Sequence, residues 1–147
     1  MNIDQLRDTL KIDEGVKYEI YNDHLGYPTF GIGHLVVESD EEHGKPVGTL
    51  ITEDRVNAVF DKDVAVMVDE AKKIFPDLDS LPEEAKQVIV NMTFNMGRPR
   101  LSKFKKFIAG VNAGDWDKAA VEMMDSRWAK QVGARAERLR DRIKALA

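Results

Sequence analysis

The chain has 147 residues, no cysteine and a formal net charge of −4, with 43% hydrophobic and 33% charged residues. The hydrophobic and charged fractions predict a folded globular protein with one substantial core and exclude a disordered chain. The absence of cysteine excludes a disulfide framework and a thiolate metal site. No apolar run approaches the roughly 18 residues that cross a bilayer. Residues 1–8 lack the basic flank and apolar centre of a secretory signal, so the protein is expected to stay in the cytoplasm where it is made unless something releases it.

The charge is unevenly distributed along the chain. Residues 98–147 contain 13 Lys or Arg and 6 Asp or Glu, a balance of +7, whereas residues 1–97 contain 9 and 20, a balance of −11. A basic C-terminal third would attract a polyanion such as a cell-wall polymer, a phospholipid or a nucleic acid. It is equally consistent with solvated or internally paired helix faces, because exposed ion pairs are often energetically neutral.

A helix is predicted at the start of the chain. Ile3, Leu6 and Leu10 recur at helical spacing, so residues 2–13 should form an amphipathic helix with Asn2 as its cap. Gly15 is placed to end that helix in the left-handed conformation.

A small sheet is predicted next. The polar turn Asn22-Asp23-His24 separates two β-prone segments, 18–21 and 29–32, which favours a β-hairpin or a three-stranded sheet. Glycines at 26, 31 and 33 indicate a turn and a close approach of the backbone to a neighbour. Residues 36–50 are acidic and rich in helix breakers, and they are predicted to form a loop.

The rest of the chain is predicted to be helical. Thr52 begins a helix of about 20 residues over 52–73, long enough to bridge two lobes. Ser80-Leu81-Pro82-Glu83 has the pattern of a capping box with Pro in the first turn, which predicts the start of a strongly apolar helix ending near Gly97. Further short helices are predicted over residues 101–111, 116–124 and 134–146.

Two carboxylates in and next to the predicted hairpin lie in different structural environments. Glu14 lies in the last turn of the first helix, where an apolar wall would help it keep its proton, and Asp23 lies in a wet turn that favours an anion. One proton donor and one anion are what glycosidic bond cleavage needs. Each residue also has an ordinary explanation, since acids are common at exposed helix ends and Asp is common in turns.

The surrounding motif resembles the active-site segment of the phage T4-type lysozymes, also called endolysins or muramidases. Glu14, Asp23 and Thr29 occur at the family spacing within Asp-Glu-Gly, Tyr-Asn-Asp and Gly-Tyr-Pro-Thr-Phe-Gly-Ile-Gly-His-Leu. The resemblance implies that Glu14 is the general acid, that Asp23 activates the attacking water and that Thr29 helps to hold that water. It covers nearly the whole chain, although the 36–50 loop is shorter than in family members.

The resemblance implies further site residues. Those expected to contact substrate are Leu35, Phe94, Asn95, Phe107 and Glu122. The last two stand where the family often has small polar residues, so substrate preference is expected to differ. Those expected to support the site are Arg135 beside Glu14, Arg138 beside Asp13, and His34 paired with Asp63. No metal site is expected, because three scattered histidines make zinc unlikely and Asp61-Lys62-Asp63 lacks the oxygen ligands and glycine of a calcium loop.

The resemblance also implies an α+β, mostly helical, lysozyme-like fold. A single domain over residues 1–147 would contain a small N-terminal sheet lobe, about 14–58, and a helical lobe of 1–13 plus 73–147, bridged by the helix 52–73. The implied activity is inverting hydrolysis of the β-1,4 bond between N-acetylmuramic acid and N-acetylglucosamine, leading to bacterial lysis. No cofactor, nucleic acid or stable membrane insertion is expected. A monomer acting on peptidoglycan is expected, released to the wall by a separate membrane-permeabilising protein.

Three other functions stay open. A catalytically silent wall-binding module would retain the fold without releasing saccharides. A lytic transglycosylase would not need Asp23 and would leave anhydro-sugar ends. Nucleic-acid binding through the basic last helix is the weakest, because no aromatic residue beyond Trp128 is interleaved with its charges.

Overall fold

The computed structural model describes all residues, Met1–Ala147, and is 59% helical with one small antiparallel sheet. The helices are α1 (Ile3–Glu14), α2 (Glu53–Lys72), α3 (Glu83–Met96), α4 (Arg98–Leu101), α5 (Lys105–Asn112), α6 (Trp116–Met124), α7 (Arg127–Val132) and α8 (Ala134–Lys144). The strands are β1 (Lys17–Asn22), β2 (Pro28–Gly31) and β3 (His34–Leu35). The predicted α+β, mostly helical fold is confirmed. No helix combines the length and the apolar character that a bilayer crossing requires.

The chain divides into two compact units, Asn2–Val66 and Met67–Ala147, with Met1 belonging to the second. Helix α2 contributes residues to both units. In this division α1 belongs to the N-terminal unit, whereas the family resemblance groups residues 1–13 with the C-terminal lobe. The lobe assignment therefore stays a prediction.

Helix α1 forms as its sequence pattern predicts. The Asn2 side chain accepts a hydrogen bond from the Gln5 amide at 3.0 Å, which satisfies one unpaired N–H of the first turn. Leu6 and Leu10 are fully buried. Gly15 ends the helix with φ of 78° and ψ of 168°, so it is not in the predicted left-handed helical conformation but in an extended region that only glycine adopts readily.

The sheet has the order β1-β2-β3, with both pairs antiparallel. Gly31 has φ of 64°, and a Cβ at this position would lie 3.2 Å from a methyl group of Val56 on α2. This confirms the predicted close approach of backbone to a neighbour. Glycine is needed here for both its positive φ and the missing side chain.

The 36–50 segment is mostly a loop of turns and bends, as predicted, and its last residue, Leu50, forms an isolated antiparallel bridge with Glu19 of β1. Charged side chains anchor this loop. Arg55 on α2 donates from Nε and Nη2 to the two carboxylate oxygens of Glu42, both at 2.8 Å, and Glu42 is only 3% exposed. This fork-to-fork geometry holds the loop against α2. The Arg55 guanidinium holds the pKa of Glu42 below its usual range.

A second anchor of the loop is His34 at the start of β3. Its Nδ1 lies 2.7 Å from Asp63 Oδ2 on α2, the pair that the resemblance implies, and its Nε2 lies 2.7 Å from Asp40 Oδ2 in the loop. Two carboxylate acceptors favour the imidazolium form. Burial lowers the pKa of His34, but the hydrogen bonds and charges of Asp63 and Asp40 outweigh it, so the pKa is raised above its ordinary value.

The C-terminal unit has its own apolar core, centred on α3. Trp128, Phe75 and Phe107 are among its largest buried side chains. Helices α5 and α6 approach closely at Gly110, where a Cβ would lie 2.9 Å from the Ala119 backbone nitrogen. Only glycine fits this crossing without a backbone shift.

The start of α3 corrects one sequence prediction. The helix begins at Glu83 with Pro82 as its N-cap and no side-chain cap, so Ser80 does not form a capping box. Ser80 instead ends a 3₁₀ turn, Leu78–Ser80. Leu81 is extended, with ψ of 155°, because the residue before a proline disfavours the helical conformation.

Replacing Asp63 with Asn should lower the His34 pKa toward its ordinary value. Because the folded state raises that pKa, the stabilisation by the ion pair is fully present below about pH 6.5 and disappears as the pH rises through the folded-state pKa. We expect Asp63→Asn to destabilise the protein by roughly 1.5–3 kcal/mol in mildly acidic buffer and by less in alkaline buffer. Denaturant unfolding and NMR titration of His34 measure both effects. Asp69→Asn, an exposed acid on the same helix, is the control; an unmoved His34 pKa in Asp63→Asn would contradict the pairing.

Replacing Gly110 with Ala should lower the free energy of unfolding by about 1–3 kcal/mol, because the new methyl group pushes α5 away from the α6 backbone. Thermal unfolding followed by circular dichroism measures the loss. Asn112→Ala, at an exposed position of the same helix, should change stability by no more than about 0.5 kcal/mol. Equal melting temperatures for Gly110→Ala and wild type would show that α5 and α6 are not tightly packed at this point.

Candidate active site

One row of side chains crosses the sheet. Tyr21 on β1 is the register partner of Thr29 on β2, and Thr29 is the partner of Leu35 on β3. Directly opposed residues of antiparallel strands project from the same face. The sheet therefore presents a hydroxyl-bearing aromatic ring, a threonine and an exposed leucine side by side.

Asp23 lies one residue beyond the end of β1, in the turn that joins β1 to β2. Its Oδ1 accepts hydrogen bonds from the backbone N–H groups of Leu25 and Tyr27, each at 2.9 Å. The Asp23 amide donates to the Tyr27 carbonyl at 2.9 Å, and the Gly26 amide donates to the Asp23 carbonyl at 2.9 Å. Two bonds to its carboxylate and two to its backbone thus fix Asp23 in the turn. Its Oδ2 accepts no hydrogen bond from the protein and is available to a ligand or water.

Glu14 is the last residue of α1, directly before the glycine that ends the helix, and it is half-buried. Tyr21 connects it electrostatically with Asp23. Burial, then the negative charge of Asp23 and then that of Glu14 raise the pKa of the Tyr21 hydroxyl. The negative charges of both predicted catalytic acids therefore act on one phenol, that of the register partner of Thr29.

Thr29 is only 4% exposed, so its hydroxyl is shielded from bulk water. Its Oγ1 donates to the Tyr27 carbonyl at 2.9 Å. This bond uses the hydroxyl proton and leaves the oxygen lone pairs as acceptors. Thr29 can therefore accept a hydrogen bond from a water molecule without losing its fixed orientation.

Four other predicted substrate contacts lie in the C-terminal unit. Phe94 and Asn95 are half-buried in the last turn of α3, and Asn95 Oδ1 accepts the indole N–H of Trp128. Phe107 is only 1% exposed and packs edge-to-face against Phe75 and Phe104, so its ring belongs mainly to the core. It still lines, with the half-buried Glu122, a cavity of about 350 Å³.

The predicted supporting arginines occupy different environments on α8. Arg135 is 7% exposed, and its Nε and Nη2 donate to Asn91 Oδ1 at 3.1 and 2.8 Å. Arg138 is exposed, and Asp13 on α1 is half-buried. The pairings of Arg135 with Glu14 and of Arg138 with Asp13 stay predictions.

Three features of the N-terminal unit were not predicted from the sequence. Tyr21 was missed although it precedes Asp23 by two residues, a spacing that places both on one face of an extended strand. Asp40 was missed as the second partner of His34, and the buried pair of Glu42 with Arg55 was also missed, because an acidic loop sequence does not show which acid turns inward. No group of three or more His, Asp or Glu side chains has a geometry that could hold a metal ion.

The sequence is similar to known proteins over most of its length. The phage lysozyme family matches residues 11–145. Two proteins of Dictyostelium discoideum, probable T4-type lysozymes 1 and 2, are each 31% identical to the chain over 159 aligned positions, covering 93% of this chain and 92% of each relative. The pre-baseplate central spike protein Gp5 of Enterobacteria phage T4 is also 31% identical over 152 positions, covering 91% of this chain but 26% of Gp5. The chain therefore belongs to the phage lysozyme family and is a glycoside hydrolase of the lysozyme type that acts on peptidoglycan.

Proposed function

We propose that the enzyme hydrolyses the β-1,4 bond between N-acetylmuramic acid and N-acetylglucosamine by an inverting general acid/base mechanism, and that this reaction lyses bacterial cells. The observation that carries the proposal is the Asp23 carboxylate, held by two backbone N–H groups in the turn after β1, beside the row that contains Tyr21 and the shielded Thr29 hydroxyl. The negative charges of Asp23 and Glu14 both raise the pKa of that tyrosine. An inverting glycosidase needs two carboxyl groups about 6.5–9.5 Å apart, with room for one water between the base and the sugar.

Glu14 is the proposed general acid. It protonates the glycosidic oxygen as the bond to the anomeric carbon breaks, so the leaving sugar departs as a neutral alcohol. Its position suits this role, because Glu14 belongs to the last turn of α1 and its side chain is half-buried. A proton donor that is already held in place loses less conformational entropy when it reaches the reactive geometry.

Asp23 is the proposed general base. With Oδ1 held by two backbone N–H groups, Oδ2 is the oxygen that accepts a proton from the attacking water. Thr29 Oγ1 accepts the second hydrogen of that water and orients its lone pair toward the anomeric carbon. Attack from the face opposite the leaving group gives the inverted product.

Leu35 is the proposed apolar contact for a sugar ring at the end of the row. It is 47% exposed and lies beside Thr29 across the β2–β3 pair. An exposed leucine offers an apolar surface that suits the apolar face of a sugar ring. Phe94, Asn95, Phe107 and Glu122 remain proposed substrate contacts from the family resemblance.

Glu14→Gln and Asp23→Asn should each reduce kcat by about 10²–10⁴-fold, the usual contribution of a general acid or base. Both substitutions keep side-chain size, and Asn at position 23 still accepts the two turn hydrogen bonds. Clearing of peptidoglycan suspensions measures the rate, and NMR of the first products shows whether the new anomeric centre is inverted. Glu19→Gln, an exposed acid on β1, is the matched control and should retain wild-type activity. Wild-type lysis by Glu14→Gln, or a retained anomer, would refute the mechanism.

Thr29→Val should lower kcat by roughly 10- to 100-fold with little change in KM, because it removes an acceptor for the attacking water while keeping the side-chain shape. Thr29→Ser should restore most of the activity. Steady-state kinetics on soluble peptidoglycan fragments separates kcat from KM. A large rise in KM with unchanged kcat would show instead that Thr29 binds the sugar in the ground state.

A wall-binding role without cleavage is the alternative that the sequence leaves open, and membership of the phage lysozyme family argues against it. The two candidates differ in one measurement. Release of soluble reducing saccharides from purified peptidoglycan requires hydrolysis, whereas binding without release would identify a wall-binding domain. Anhydro-sugar ends in the products would instead indicate a lytic transglycosylase.

A further inference from the structure

A cavity of about 440 Å³ on the C-terminal unit has an unusual charge balance. Its lining contains Arg100, Lys103 and Arg127 together with Phe104, Trp128 and Gln131, and no acidic residue. The three cationic side chains are exposed. The cavity is formed where α4, the turn after it and α7 meet, and none of its residues has a role in the proposed reaction.

The charges of this cavity are not neutralised by the protein. Neither Lys103 nor Arg127 forms an ion pair, and Arg100 donates only to the neutral amide of Gln131. Other arginines of the same unit are paired, including Arg98 with Glu70 and Arg142 with Glu84. Like charges brought together without counterions raise the local potential, which favours binding of an anion.

A neighbouring cavity extends the cationic surface. Lys103 and Phe104 line both cavities, and the second adds Lys105 and Lys106. The second cavity also contains Glu122 and Asp125, so its charge is partly balanced. A ligand with several negative charges along its length would therefore have its strongest contact in the acid-free cavity and further contacts with the two lysines.

The apolar and aromatic groups of the surface restrict the kind of anion. Trp128 is 1% exposed and its indole N–H is engaged by Asn95, while the half-buried Phe104 packs edge-to-face against Phe107 and Trp128, so the cavity offers no fully exposed ring on which a nucleic-acid base could stack. No side chain lining the cavity is an exposed large hydrophobic residue that would enter a lipid bilayer. The site thus suits a polyanion that has neither bases nor acyl chains.

We propose that this surface binds a linear phosphodiester polymer of the bacterial cell envelope, with phosphate groups contacted by Arg100, Lys103 and Arg127. Guanidinium groups bind phosphate oxygens through two parallel hydrogen bonds, and the lysine adds a mobile charge. Binding would hold the enzyme on the envelope while the N-terminal unit acts on glycan strands. The choice of an envelope polymer rests on the proposed function, whereas the anion site itself does not.

The test measures binding of poly(glycerol phosphate) by isothermal titration calorimetry over a range of salt concentrations. The variant Arg100→Gln/Arg127→Gln removes two cationic side chains that line the acid-free cavity but not the neighbouring one. Both positions are exposed, so its melting temperature should equal that of wild type. We expect about tenfold weaker binding at low salt. Removal of two phosphate contacts should also reduce the steepness of the plot of log affinity against log salt concentration by about 1.4. This figure uses the slope per phosphate contact that applies to flexible single-stranded polyanions.

The control Lys62→Gln/Lys118→Gln makes the same change in net charge at exposed lysines outside the cavity and should bind within about twofold of wild type. Both variants should hydrolyse phosphate-free peptidoglycan at the wild-type rate, so failure of the anion site is distinguishable from failure of the proposed mechanism. Absence of binding by wild type, or equal weakening in the control, would overturn the proposal. Tighter binding of a thymidine oligonucleotide or of phosphatidylglycerol vesicles than of the polymer would overturn it in favour of that other source of phosphate.

Discussion

The candidate site depends on the register of the three-stranded sheet. Tyr21, Thr29 and Leu35 lie in one row only because β2 pairs with β1 and β3 at these positions. A slip of one residue in either pair would turn Thr29 to the opposite face, since side chains alternate along a strand. Such short strands provide few hydrogen bonds, so other interactions must hold the register. The backbone bonds of Asp23 close the β1–β2 turn at one end. At the other strand pair, His34 ties β3 to α2 and to the 36–50 loop through two carboxylates.

These anchors share one physical property: they involve charged groups that are partly or fully withdrawn from water. The Glu42–Arg55 pair is bidentate and largely buried, and the imidazole ring of His34 lies between the carboxylates of Asp40 and Asp63. Breaking one partner of such a pair is costly because the other charge is left poorly solvated. The charged loop therefore acts as a rigid support of β3, although its composition resembles that of a solvated segment. Since Leu35 follows His34 directly, the same anchors set the position of a proposed substrate contact.

Much of this arrangement could be predicted from the sequence, and the failures have physical causes. Periodicity and the Asn2 cap predict α1 because both are local, and turn residues predict the hairpin around Asp23 for the same reason. The roles of Glu14, Asp23 and Thr29 came from family resemblance, since an acid at a helix end and an acid in a turn are individually ordinary. Ser80 was assigned to a capping box because the four-residue pattern fits, but the conformational restriction before Pro82 prevents the helix from starting there. The partnership of His34 with Asp40 is a tertiary contact, and no local pattern distinguishes Asp40 from its acidic neighbours.

The distribution of charge relates the two units to the chemistry of a cell wall. Residues 2–66 contain 6 Lys or Arg and 14 Asp or Glu, a balance of −8, and residues 67–147 contain 16 and 12, a balance of +4. A site built from two carboxylates has to bind a glycan through neutral contacts. A polyanion near such a site would be repelled by the net negative charge of residues 2–66. A cationic surface placed among those carboxylates would lower their pKa values and weaken an acid catalyst. The cavity lined by Arg100, Lys103 and Arg127 contains none of the proposed catalytic residues, and salt limits the reach of exposed charges to about 8–10 Å. The proposed envelope binding and the proposed proton transfer are thus assigned to different side chains of one chain.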